Sequence, residues 1–244
     1  MSFVFNADSG RVRLDQPTFD RLVSWVNGDD TADPQLTALV DSGAITRNEP
    51  HRALVPGLRA VTGSLCRLRI GLIDDRGTRK AGDGWVGRGE AALLLDLPDG
   101  DRELIALHPT LLPAVIARVT RLGPRPASGS EPLHLTGELL ADLLSGNASD
   151  RKAAAETLAV HDSDRPLPGL VAGLVSGPWR RWTVTVEWRT PQGEPASHTL
   201  QVLDADTCLC LCEASSTNAT LWPTTASGVW RRLTLLLPDE VENG

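Results

Sequence analysis

The sequence predicts an α+β protein made of two copies of one pattern. Three observations carry that prediction: short blocks recur in the same order in both halves, strands announce themselves by two-residue alternation, and the composition is that of an ordinary globular chain. Of 244 residues, 41% are hydrophobic, about half once the 22 glycines are counted, and 23% are charged with both signs mixed. That is not the low-hydrophobicity, high-charge signature of disorder, and the chain is long enough to bury a sizeable core.

The repeat opens at Val12, Arg13, Leu14 and Asp15, which reappear as Leu133, His134, Leu135 and Thr136: an alternating strand ending in a residue suited to capping a helix. Apolar Phe19, Leu22 and Val23 are answered by Leu140, Leu143 and Leu144. Pro56, Gly57 and Leu58 match Pro168, Gly169 and Leu170, and the run Leu68 to Leu72 matches Arg180 to Val184, both at an offset of 112. His108, Pro109, Thr110, Val115, Arg118, Leu122 and Pro124 match Trp222, Pro223, Thr224, Val229, Arg232, Leu236 and Pro238 at an offset of 114. Each copy reads as a short strand, three helices, a strand, a hairpin or meander and a closing helix. In the first copy the helices fall near 16–27, 34–42, 52–63 and 109–122, and the strands near 67–73, 90–97 and 103–107; the second repeats the scheme over 133–238.

Turn chemistry at Pro98, Asp99 and Gly100, and again from Ser215 to Asn218, separates apolar runs. Residues 1–124 form the first half, 125–132 a linker rich in Pro, Ser and Gly, and 133–244 the second half. Duplicated halves commonly pair about a pseudo-twofold axis so that strands from both complete one sheet. One compact domain with a continuous core is expected.

A net charge of −7 and a pI near 5.2 argue against nucleic-acid binding, leaving room only for a local basic strip. No apolar run approaches the roughly 20 residues that span a bilayer, and the first residues lack a basic segment followed by an apolar one. A cytoplasmic protein with no membrane partner is expected. Four cysteines do not make a disulfide scaffold.

Catalytic patterns are weak. Gly82, Gly84 and Gly87 satisfy Gly-x-Gly-x-x-Gly, but a strand, not a helix, is expected after them, so a flexible loop is the better reading than a dinucleotide site. Cys208, Cys210 and Cys212 would share one strand face, and only Cys66 remains as a fourth thiol, so small buried sheet residues are expected rather than a metal site. The histidines (His51, His108, His134, His161, His198) show no metal-ligand spacing. Asp74, Asp75, Asp204 and Asp206 lie beside expected turns, and no nucleophile elbow is present. No catalytic residue, cofactor or metal is assigned, and the chain is read as a non-enzyme.

Recognition is better supported. From Arg181 to Arg189, Trp182, Val184, Val186 and Trp188 alternate with Arg181, Thr183, Thr185, Glu187 and Arg189, so one face packs and the other stays polar. Leu68, Ile70 and Leu72 alternate likewise with Arg67 and Arg69, placing arginines of both halves on one sheet face. Such a face suits protein binding, and a merely solvated face fits the same pattern. The glycine-rich stretch from Gly77 to Gly89, with Arg79, Lys80, Trp85 and Arg88, is expected to be a mobile partner-binding loop, with a shorter loop from Gln192 to Ser197 in the second half. The candidate partner-binding residues are therefore Trp85, Arg88, Arg181, Thr183, Glu187 and Arg189.

The duplicated strand–helix–sheet–helix plan, the run from Leu36 to Ile45 before the helix from Arg52, and the ending from Val202 to Leu236 together resemble the EspG family of type VII (ESX) secretion chaperones. That resemblance implies a quasi-twofold fold whose central, mainly antiparallel sheet is flanked by two helical bundles, and no catalysis. It also implies a cytosolic actinobacterial chaperone or adaptor for secreted helical-hairpin proteins, PE/PPE-like heterodimers or WXG100-like substrates. Contacts would come from the sheet near Arg181 to Arg189 and from helices between Gly137 and Val160. Two other readings stand beside it: an enzyme or small-ligand binder using a cleft between the copies, with Glu90, His108 or the cysteines in it, and a structural homodimer subunit.

Overall fold

The structure is a computed structural model and describes residues 3–29, 34–46, 49–126, 131–161, 169–215 and 217–237. The proposed matches at Pro168 and Pro238, Ser216 of the second turn and linker residues 127–130 lie outside the described residues.

The chain opens with β1 (Val4–Asn6), β2 (Arg11–Leu14), α1 (Gln16–Val26), α2 (Pro34–Asp41) and α3 (Val55–Thr62). A meander of β3 (Cys66–Asp74), β4 (Arg79–Val86), β5 (Ala91–Asp96) and β6 (Arg102–Leu107) follows, and a 3-10 turn at Pro109–Leu111 leads into α4 (Leu112–Val119). Then come β7 (Leu133–Thr136), α5 (Gly137–Leu143), α6 (Ala148–His161) and α7 (Gly169–Ser176). A second meander, β8 (Trp179–Arg189), β9 (Pro195–Ala205), β10 (Cys208–Ala214) and β11 (Asn218–Thr224), closes with α8 (Ala226–Thr234).

Local chemistry explains the helix starts. Asp15 accepts from the Thr18 amide at 2.9 Å and Pro17 stands in the first turn of α1, where a missing N–H costs nothing. Thr136 caps α5 through the Leu139 amide and Thr225 caps α8 through the Gly228 amide, each at 3.1 Å. The expected turn at Pro98 to Gly100 joins β5 to β6, with Gly100 at φ 90°.

The strands form one 11-stranded sheet in which every described pairing is antiparallel. At its centre β3 pairs with β8. Outward from them the order runs β4, β5, β6, β2, β1 on one side and β9, β10, β11, β7 on the other. Alternation sorts side chains onto two faces. On one face Leu68, Ile70, Trp182, Val184, Val186 and Val202 pack beneath Leu112 and Ile116 of α4 and Val229 and Leu233 of α8. On the other face the cover is divided. Phe19, Leu22, Leu39 and Leu58 of α1, α2 and α3 pack on Ala92, Leu94 and Leu104, whereas Leu140, Leu143, Ala154 and Leu174 of α5, α6 and α7 pack on Leu203, Cys210 and Leu221.

Two expectations need correction. Residues 79–86 are strand β4, not part of a mobile loop. Gly82 and Gly84 belong to its inward series with Val86, and a Cβ there would stand 2.7 Å from a Leu95 methyl or 2.8 Å from a Leu93 methyl. The glycines thus admit leucines of β5 instead of conferring flexibility. In the second half, residues 195–197 likewise belong to β9, leaving a turn closed by the Gly193 amide donating to the Thr190 carbonyl at 2.8 Å. β1 carried no sequence signal beyond three residues, too few for a period.

Candidate protein-interaction surface

Between the two helix groups the four central strands keep a polar face. Their register assembles it into four rows, each running across β4, β3, β8 and β9. The first is Arg79, Ile73, Arg181 and Leu203; the second is Ala81, Gly71, Thr183 and Gln201. The third is Asp83, Arg69, Thr185 and Thr199; the fourth is Trp85, Arg67, Glu187 and Ser197. With strands roughly 4.8 Å apart the face is about 15 Å wide, comparable to one helix with its side chains.

Charge on this face is uneven. Four arginines (Arg67, Arg69, Arg79, Arg181) meet two carboxylates, and both carboxylates are engaged inside the protein. Asp83 receives Nη2 of Arg102 at 2.9 Å, and Arg102 also reaches Asp96 from Nε at 2.9 Å. Glu187 lies 3.5 Å from Nη2 of Arg69, both side chains being well exposed. Among the described residues Arg67, Arg79 and Arg181 make no ion pair. A chain of net charge −7 therefore carries a positive band along the middle of its sheet.

The second row is low. Gly71 has no side chain, and a Cβ at that position would stand 3.1 Å from Thr183 Oγ1. Ala81 continues the dip. Thr185 and Thr199 hydrogen-bond across β8 and β9 at 3.1 Å in the adjoining row, fixing one bank of the depression.

The residues nominated from sequence are not all together. Arg181, Thr183 and Glu187 lie on this face as the alternation predicted, with Arg189 at the strand end, where its Nη1 donates to the Gly193 carbonyl at 2.8 Å. Trp85 also faces this side but is half-buried, its ring tilted 35° against Phe19 of α1 with centroids 5.4 Å apart. Packing accounts for an indole that the sequence reading placed in a loop. Arg88 is elsewhere: with His108, Leu112, Leu233 and Leu236 it lines a groove of about 640 Å³ beside α4 and α8. Arg79 was named only as part of a loop, and Asp83 and Gln201 went unnamed; the alternation of β4 could have placed Arg79 and Asp83 on this face had its glycines not read as turn signals.

The groups suggested for an inter-copy cleft are separated too. A cleft of about 330 Å³ does lie between the halves, but it is lined by Asp74, Lys80, Arg121, Arg125, Trp179 and Asp204 among others. Glu90 instead approaches Arg59 at 3.8 Å, and His108 caps the turn before α4 through the Thr110 amide. Cys208, Cys210 and Cys212 are buried on one face of β10 beneath the second helix group. Burial pushes the Cys66 thiol up to about 12, while Cys210 is raised first by its hydrogen bond with Cys208 and then by burial. Thiols held protonated are poor nucleophiles and poor ligands.

No family model matches the sequence, and no curated protein matches it. Among solved structures, the chain is similar to the Mycobacterium tuberculosis type VII secretion system chaperone EspG5, determined in complex with a PE25–PPE41 dimer. The TM-score is 0.61 at 10% sequence identity, over 93% of this chain and 97% of that one. The two share a fold. At that identity the likeness speaks for the α+β architecture with its large antiparallel sheet and not for a common partner. No helix among the described residues is long and apolar enough to cross a membrane.

Proposed function

We propose that this protein is a non-catalytic chaperone or adaptor that holds a secretion substrate against the central sheet face between its two helix groups. The observation that carries the reading is the uncovered band of β4, β3, β8 and β9, whose free arginines face outward in a protein otherwise acidic. A fold shared with EspG5, which was solved holding a PE25–PPE41 dimer, supports the choice of partner class: a PE/PPE-like or WXG100-like helical-hairpin substrate of a type VII system. In this reading the chain acts in the cytoplasm without cofactor or metal, and contacts spread from Arg181, Thr183 and Glu187 toward α5 and α6.

The architecture is an internal duplication. Its support is the matched element order of the two halves and the sheet order, which runs outward from β3 and β8 through corresponding meander strands. Residues 1–124 and 133–244 then act as one domain flanked by two helical bundles, with the substrate seated on the quasi-twofold axis.

Co-expression with the helical-hairpin proteins encoded beside its gene, followed by size-exclusion chromatography with light scattering, tests the role. A complex of defined stoichiometry with increased client solubility is expected. Elution of the chain alone, or only as a dimer of itself, beside every such neighbour would refute it.

A further inference from the structure

We infer that the central band recognises an acidic partner segment, with a carboxylate seated over Gly71 among Arg69, Arg79 and Arg181. This deepens the proposed role and rests on it for the identity of the natural client, but the chemistry is argued from the sheet face alone.

The register places Gly71 and Thr183 directly opposite each other, with Ala81 beyond Gly71. A glycine flanked by two short side chains in one row makes a depression across the strands. One bank carries Arg79 and Arg181 on either side of Ile73; the other carries Arg69 between Asp83 and Thr185. Along a strand, side chains on one face repeat at roughly 7 Å, so guanidinium groups on both banks can reach a group placed over Gly71. Arginine suits this because its planar fork presents paired donors to a carboxylate.

Internal neutralisation does not close the depression. Asp83 is drawn toward Arg102, which also pairs with Asp96, and among the described residues Glu187 pairs only with Arg69. Thr183 adds a hydroxyl at the floor. A protein ligand is favoured over nucleic acid because four arginines on a chain of net charge −7 give a small positive patch inside a negative field, which suits a few carboxylates and opposes a continuous phosphate backbone. The width of the face admits one helical tip.

The test uses the full chain and three labelled probes read by fluorescence anisotropy: a short helical hairpin with two glutamates at its tip, the same hairpin with two lysines there, and a single-stranded oligonucleotide. The glutamate hairpin is expected to bind best, to weaken about ten-fold or more in the Arg69→Glu/Arg181→Glu double variant, and to weaken as salt is raised. Gly71→Leu, which fills the depression without changing charge, is expected to weaken it as well, with unchanged circular dichroism as the check on folding. Equal binding of the two hairpins, indifference to charge reversal, or tighter binding of the oligonucleotide would overturn the inference. Failure of the two proposals is separable. A neighbouring client that co-purifies yet ignores the charge reversal sinks only the acidic-segment assignment, whereas a charge-sensitive glutamate hairpin with no co-purifying client sinks only the secretion role.

Discussion

Arg125 donates from Nε to Asp204 at 2.8 Å, fastening the segment that leaves α4 to strand β9 of the second half. Arg180, opposite Asp204 in the β8–β9 register, donates to its other oxygen at 2.8 Å. Only 2% of Asp204 is exposed, so its desolvation is offset by both arginines together. Asp204→Ala leaves two partly buried guanidinium groups without their acceptor and should lower stability by about 3 kcal/mol, with Arg125→Gln costing less because that side chain is nearer solvent. Urea unfolding of both variants measures this. A loss under about 1 kcal/mol for Asp204→Ala would show that the arginines are satisfied by water and that the triad behaves as a surface pair.

Trp85 should matter for stability first. Its contact with Phe19 joins β4 to α1, and truncation to alanine should cost about 2 kcal/mol, less than a fully buried tryptophan because the side chain is only partly buried. Trp85→Phe should retain most of that. Thermal unfolding that leaves Trp85→Ala unchanged would return the residue to a purely recognition role.

Gly84→Val should destabilise the protein by about 2 kcal/mol, since a branched side chain must displace Leu93 and Leu68, whose atoms lie 2.8 Å and 3.0 Å from the new Cβ. The neighbouring Ala81→Val, on the exposed face of the same strand, should stay within about 0.5 kcal/mol. Equal effects of the two substitutions in chemical denaturation would contradict the assignment of faces in β4.

The thiols predict a response to alkali. Burial holds Cys66 protonated up to about 12 against an ordinary 9.0, and it also raises Cys212 despite the opposing pull of Arg181. Between those pH values the folded chain therefore binds more protons than the unfolded one. The stabilising contribution is complete below about pH 9 and is lost as pH rises toward 12, with a slope approaching 1.4 kcal/mol per pH unit for one thiol, about the limit set by one proton. Urea midpoints followed from pH 8 to 11 should fall, and Cys66→Ala should flatten the decline. A thiol-specific reagent should count four cysteines only after unfolding; rapid reaction of the native chain would refute their burial.

How much of this was legible depended on the range of the cause. β3 and β8 were readable because each has one buried face, so Leu68, Ile70, Trp182 and Val184 alternate with polar residues within a single strand. Asp15 and Thr136 were readable as caps because capping is settled within four residues. β4 was not, because the reason for Gly82 and Gly84 lies in Leu93 and Leu95 of another strand. Arg88 was grouped with Trp85 in one expected loop, and the structure parts them for a related reason: proximity in sequence to Trp85 says nothing once β4 ends at Val86 between them.

By itself the sequence determined the α+β class, the strand–cap–helix openings, the turn at Pro98 to Gly100 and the polar side of β8, all consequences of backbone preference and of hydrophobic period over a few residues. Tertiary structure alone decided that β3 stands beside β8, that Gly71 faces Thr183, and that helices cover both ends of one sheet face while leaving its middle open. Those outcomes follow from strand register and from packing between elements far apart in the chain, where many weak contacts act together and no single residue type records the result.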